Sequence, residues 1–328
     1  MSNSKKKISV VIPCYNEEKT VKEIYERLIS IFSSELKCYD YEIIFVDDFS
    51  KDNTREEIRK VCKLNHKVGG VFNARNFGFH RNVFQSYQYA TGDCVFMMFG
   101  DLQDPPEMLP VFVKKWEEGH KCVVGQREKS TESKVKYILR KIYYKIMNML
   151  SDTSQIEMIN GFGLYDKSFV EVLREIDDTV PFFKAVLNEY GMNICVVPYA
   201  QSAGKRGKSN FNILKNYDFV MQGLTSSTKL LMRFATFISI FIAFICIIYT
   251  GSVFVRKLLD PTTFPSGTAS VMVGVFFLGA IQLFFIGILG EYILSINEKI
   301  SRKPRVVIEE TINIEEKDSH ERDAKCDK

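Results

Sequence analysis

Four times within the first 104 residues a run of apolar side chains stops at a cluster of polar ones, a pattern that few folds can accommodate. Ile8-Ser9-Val10-Val11-Ile12-Pro13 stops at Cys14-Tyr15-Asn16-Glu17-Glu18, and the run 41–46 stops at Asp47-Asp48-Phe49-Ser50. Val71-Phe72 begins a third, ending in Arg75-Asn76-Phe77-Gly78. Cys94-Val95-Phe96-Met97-Met98-Phe99 is the fourth, closed by Gly100-Asp101-Leu102-Gln103-Asp104-Pro105-Pro106-Glu107. Helical spacing separates them: Val21, Ile24, Tyr25, Leu28, Ile31 and Phe32 recur at i, i+3, i+4. Further helices are expected from near Asn53 or Thr54, over 82–90 and over 107–118, with a strand at Cys122-Val123-Val124-Gly125. Strands alternating with helices predict an α/β domain whose mostly parallel sheet is covered on both faces. All four polar clusters then share the carboxyl edge of the sheet, where open α/β folds bind ligands.

The chemistry of that edge points to a cation. Asp101, Gln103 and Asp104 offer hard oxygen donors suited to Mg²⁺ or Mn²⁺, which grip phosphate oxygens. No GxGxxG follows the first strand and no Walker loop occurs, so dehydrogenase and P-loop readings fail. A metal ion is the natural substitute for a glycine-rich phosphate cradle. Taken alone, the same acidic run also reads as a plain turn before a helix. The net charge of +4 is too small to imply nucleic acid. Eight scattered cysteines without a CxxC pair read as small apolar fillers in a reducing compartment. The four histidines share no metal-ligand spacing.

Beyond about residue 230 the composition changes. Residues 234–255 and 266–290 carry no charge, and both reach the roughly 20 residues needed to cross a bilayer. The short connection holds Arg256, Lys257 and Asp260, which makes the pair a hairpin. Lys229, Arg233, Lys299, Arg302, Lys303 and Arg305 outnumber the basic residues of the connection and place both ends in the cytoplasm. The N-terminal 1–7 is polar and contains no signal peptide, so insertion is left to the C-terminal segments. Residues 134–150 and 213–224 form amphipathic stripes, either solvated faces or interfacial helices. The expected organisation is a catalytic domain (1–210), an interfacial helix (211–229), a two-helix membrane hairpin (230–296) and a cytoplasmic tail (297–328), charged and disordered from Glu309 onward.

With these motifs in place, the chain resembles glycosyltransferase family 2, and within it the polyprenyl-phosphate glycosyltransferases. The resemblance rests on the four strand-end motifs, Gly125-Gln126-Arg127, Arg206-Gly207-Lys208-Ser209, the hairpin and the closing Gly290-Glu291-Tyr292 and Arg302-Lys303-Pro304. It covers about residues 8–308 and implies a Rossmann-like GT-A domain followed by amphipathic helices and two transmembrane helices. The implied reaction is metal-dependent, inverting transfer of a sugar from a nucleotide sugar, usually a UDP-sugar, to a polyprenyl phosphate at the cytoplasmic face of the cell membrane, in cell-envelope polysaccharide synthesis. Pro13, Tyr15 and Glu17 would line the nucleoside pocket, Asp48 would bind the base beside Asp47, and Arg75 would cradle the nucleotide. Asp101 and Gln103 would hold Mg²⁺ or Mn²⁺ with Asp104 nearby, and Arg127 and Arg140 would receive the acceptor phosphate. Two departures stand out: Phe99-Gly100-Asp101 replaces the usual Asp-x-Asp, and Asn160-Gly161-Phe162-Gly163-Leu164 replaces Gly-Asp-Phe-Arg-Leu. Transfer to another glycolipid or polysaccharide, or an inactive membrane scaffold, are the alternative readings. The sugar and the oligomeric state stay open; relatives of this type form membrane-associated oligomers.

Overall fold

The computed structural model describes residues 5–127, 159–176, 183–201, 268–300 and 304–314, together with positions 241, 244, 245, 248 and 259. These fall into two compact units, one built around a sheet and the other containing a long helix.

The first unit follows the expected alternation. Strand β1 (Lys7–Cys14) leads to helix α1 (Val21–Ser34), β2 (Asp40–Asp47) to α2 (Thr54–Leu64), and β3 (Val68–Asn73) to α3 (Phe79–Ser86). After β4 (Cys94–Met97) a single 3₁₀ turn, Pro106–Met108, enters α4 (Leu109–Glu117). The order continues with β5 (Cys122–Arg127), β6 (Ile159–Asp166), α5 (Lys167–Glu175), α6 (Phe183–Tyr190), β7 (Ile194–Tyr199) and, late in the chain, β8 (Ile308–Ile312). Together the strands form one sheet in the order β7-β5-β6-β4-β1-β2-β3-β8.

Strand periodicity explains why the central runs are apolar throughout. Along β1, Ile8, Val10, Ile12 and Cys14 enter one buried cluster with Val21, Ile24 and Leu28 of α1. Val11 faces the other way, into a cluster with Val83 and Phe84 of α3. Strand β4 divides likewise: Cys94 and Phe96 to one side, Val95 and Met97 to the other. A strand covered on both faces has no polar face to display, hence the unbroken runs. The cysteines behave as fillers. Burial pushes the Cys62 and Cys122 thiols up to about 12, so these are inert thiols.

One expectation is refined and another corrected. The sheet is mostly parallel, as expected, but mixed: β6 runs antiparallel between β4 and β5, and β8 runs antiparallel to β3. Strand β6 carries Asn160-Gly161-Phe162-Gly163, whose glycines give a loop signal in sequence. In the fold, a Cβ at Gly163 would stand 2.4 Å from the Val123 carbonyl oxygen, so the close strand approach excludes any side chain. The correction concerns the tail. Residues 308–312 are an edge strand paired antiparallel to β3, and Arg59–Glu310 and Arg55–Glu309 ion pairs lie along it at 2.6 and 2.8 Å.

The second unit contains α7 (Thr268–Ile300), 33 residues long. Among the described residues, no helix is long and apolar enough to cross a membrane. The amphipathic stripes at 134–150 and 213–224, with Arg140, Arg206 and Ser209, lie outside the described residues, as does most of the run 234–255.

Candidate active site

Strands β1, β2, β3 and β4 are mutually parallel, so the loops that follow them gather at one edge. Hydrogen bonds lace those loops together. The Asn16 N–H donates to Ser50 Oγ at 2.8 Å, and the Asn16 side-chain oxygen accepts from the Lys51 N–H at 2.8 Å. The Glu17 N–H donates to Thr54 Oγ1 at 2.7 Å, and Thr20 Oγ1 donates to the Gly100 carbonyl. Three non-glycine residues of these loops sit in the left-handed region: Asn16 (φ 57°), Phe49 (63°) and Leu102 (56°). Such conformations cost roughly 1–3 kcal/mol each and concentrate where a site is pre-shaped.

The paired aspartates after β2 have separate duties. Asp47, fully buried, accepts from the Ser50 N–H and hydroxyl and from Arg55 Nε at 2.7 Å. Arg55 also reaches Glu309 and the Asn73 carbonyl, and its guanidinium lies over the rings of Phe49 and Phe72. Asp48 reaches across to the next loop, accepting from Asn73 Nδ2 (3.0 Å) and from the Phe77 and Gly78 N–H groups (both 2.9 Å). Gly78, at φ 93°, holds a backbone conformation that L residues avoid and caps α3. Arg75, in the same loop, is exposed and lies over Phe77. Pro13 and Glu17 are buried and Tyr15 is half-buried, so these predicted nucleoside-pocket residues stand on the same edge.

The expected metal ligands do not form an open cluster. Asp101 is half-buried, and one oxygen accepts the Gln103 N–H at 3.1 Å. The Gln103 side-chain oxygen is taken by Gln201 Nε2 at 2.7 Å. Asp104 is completely buried, accepting from Asn160 Nδ2 at 2.9 Å and from the Tyr199 hydroxyl. Burial raises its pKa against the pull of Tyr199, Arg127 and Asn160. Among the described residues, no group of three His, Cys, Asp or Glu side chains could hold a metal ion. Of Asp101 and Asp104, the accessible carboxylate is Asp101. That donor set fits an ion such as Mg²⁺, which keeps several waters and takes other ligands from substrate phosphates.

Arg127 ends β5 half-buried, its Nε 3.4 Å from the Tyr199 hydroxyl. The tyrosine thus accepts from the arginine and donates to Asp104, joining the loop after β4 to the ends of β5 and β7. Phe99, in place of the family's first carboxylate, packs on Phe79 with ring centroids 5.3 Å apart. His80, next in α3, is held neutral, its pKa lowered to about 4 by burial and by Lys184.

Sequence reasoning missed Arg55, Asn73, Tyr199 and Glu309. The apolar, β-branched Ile194-Cys195-Val196-Val197 was the available signal for β7 and hence for Tyr199 at its end. Nothing comparable marks Arg55 or Glu309, whose roles exist only once distant segments meet.

Comparison with known proteins agrees with this geometry. Residues 9–191 match the family model described as glycosyl transferase family 2. The SfII prophage-derived bactoprenol glucosyl transferase of Shigella flexneri is 32% identical over 308 residues, covering 93% of this chain and 98% of the relative. The putative glycosyltransferase CsbB of Bacillus subtilis is also 32% identical, covering 95% and 93% respectively. Among solved structures, a mycobacterial protein superposes with a TM-score of 0.50 at 16% identity, covering 67% of this chain and 73% of that one, a likeness of fold alone. With the family model spanning the loops after β1 to β4, this chain belongs to glycosyl transferase family 2 and is a glycosyltransferase.

Proposed function

We propose that this enzyme transfers a sugar from a nucleotide-sugar donor, a UDP-sugar, to a polyprenyl phosphate at the cytoplasmic face of a membrane, with inversion. The observation that carries the reading is the extent of likeness to the bactoprenol glucosyl transferase. Its 308 aligned residues run well past the family segment 9–191 and take in the C-terminal uncharged runs. A lipid acceptor gives those runs a purpose. Helix α7 carries no charge from Thr268 to Gly290. Val271, Val275, Ile286 and Ile293 are exposed, an arrangement that favours hydrocarbon over water. The described positions alone do not make a span, so the hairpin rests on the sequence of 234–255 and 266–290.

The donor would sit on the edge shaped by Asn16, Phe49 and Leu102, and Asp101 would hold Mg²⁺ or Mn²⁺. Such an ion would supply Lewis-acid stabilisation of the departing diphosphate. The chain's own residues position the substrates. Asp48 fixes the loop that carries Arg75, and Asp104 with Tyr199 fixes the side chain of Arg127, aimed at the acceptor phosphate by the family resemblance. Arg140 is assigned the same partner on the same ground. A phosphate monoester is already ionised at neutral pH, so orientation of two anions matters more than a general base.

The test uses protein purified in detergent, undecaprenyl phosphate and a panel of UDP-sugars with Mg²⁺ or Mn²⁺. Formation of a lipid-linked sugar with at least one donor is expected. Absence of product with every donor, or undiminished turnover in Asp101→Ala, overturns the reading.

A further inference from the structure

Strand β8 lies 254 residues beyond Arg55 in sequence, yet Glu309 Oε2 accepts from Arg55 Nη1 at 2.8 Å. The same guanidinium donates through Nε to Asp47 at 2.7 Å and through Nη2 to the Asn73 carbonyl. All three nitrogens are therefore committed, and the planar fork leaves Arg55 little freedom once its partners are set. Asp47 in turn fixes Ser50, whose hydroxyl receives the Asn16 N–H. A chain of contacts thus runs from the C-terminal strand, through one arginine, into the two loops that bear the left-handed residues Asn16 and Phe49. Glu310, one residue on, pairs instead with Arg59, whose other recorded partners are Glu56 and the Phe72 ring.

We infer that Glu309 is a positioning residue for the donor nucleotide: by holding Arg55 it orients Asp47 and the Asp48–Ser50 loop, so strand β8 completes a site built from β1 and β2. The inference rests on the reading of that edge as the donor site. Its burial pattern makes the linkage separable from stability. Asp47 is wholly buried, whereas the Glu309 side chain is 53% exposed, and exposed ion pairs add little to folding. Glu309 therefore contributes geometry more than fold stability.

Two measurements on the full-length protein test this: UDP affinity in the presence of Mg²⁺, and amide hydrogen exchange at Ser50. Glu309→Gln, which keeps an acceptor oxygen but removes the charge that holds the guanidinium, is expected to weaken UDP binding by roughly fivefold and quicken Ser50 exchange with an unchanged melting temperature, while Glu310→Gln alters neither. In an Arg55→Lys background, Glu309→Gln should add nothing further, since its effect passes through the guanidinium. Equal behaviour of Glu309→Gln and Glu310→Gln overturns the inference, as does a full additive effect in the Arg55→Lys background. If the wild type takes up no UDP while Glu309→Gln still quickens Ser50 exchange, the donor assignment falls and the Glu309–Arg55–Asp47 linkage stands.

Discussion

The Tyr199 hydroxyl donates to Asp104 across 95 residues of sequence, and this bond closes the acidic loop after β4 against the last strand of the sheet's far end. Both groups are buried, so the pair is set when the sheet assembles. Among the described residues, Tyr199→Phe leaves Asp104 with Asn160 as its remaining side-chain donor and removes the Tyr199 acceptor of Arg127. A loss of about 1–3 kcal/mol is expected from the newly unpaired buried carboxylate oxygen, read as a lower denaturant midpoint.

Asp48 tests the loop carrying Arg75. Asp48→Ala removes the acceptor of the Phe77 and Gly78 N–H groups and leaves the Asn73 amide with Asn82 Oδ1 alone among the described residues. Amide exchange at Phe77 and Gly78 should accelerate, and nucleotide affinity should fall at least about tenfold through the loosened loop. Protected amides in the variant would refute the role.

Asp101 separates chemistry from folding. Its contact within the described fold is the Gln103 N–H, which an asparagine oxygen can also accept. Asp101→Asn should therefore melt at the wild-type temperature while turnover drops at least about a hundredfold, the scale of a lost metal anchor. Chelation with EDTA should give the same loss in the wild type, restored by Mg²⁺ or Mn²⁺.

Acid stability should depend on Asp166. This residue caps α5 through the Ser168 N–H and holds Trp116 Nε1 at 2.7 Å and Lys121 Nζ at 3.0 Å. Burial opposes its charge, but the hydrogen bonds from Ser168, Trp116 and Lys121 outweigh burial and bring the pKa from 3.8 down to about 2. The unfolded chain then binds more protons between those values, so the stabilisation is complete above about pH 4 and disappears as pH falls towards 2. The urea midpoints of wild type and Asp166→Ala should differ at pH 6 and converge near pH 2.

Topology can be read with a membrane-impermeant thiol reagent on intact cells. Leu259→Cys, in the connection between the uncharged runs, should label from outside. Cys38, exposed in the folded domain, should label only after permeabilisation. The reverse pattern would invert the proposed orientation.

Much of the candidate edge was legible because it obeys local rules. Apolar runs that end in polar clusters gave β1 to β4 and placed Tyr15, Asp48 and Asp101 on one side of the sheet. Antiparallel β6 was not legible, since a buried strand reads alike in either direction and its glycines imitate a loop. Nor was the order of residues 308–312, where charges that suggest a solvated tail instead find Arg55 and Arg59.

The sequence by itself determined the strand positions, the buried period of each strand and the membership of the edge, because burial patterns are written residue by residue. Only the tertiary structure decided which carboxylates are accessible. Asp47, Asp48 and Asp104 are spent on Arg55, the Phe77–Gly78 backbone and Tyr199, while Asp101 keeps an open side. That division depends on partners brought in from distant strands, and a carboxylate's role follows from the donors that reach it.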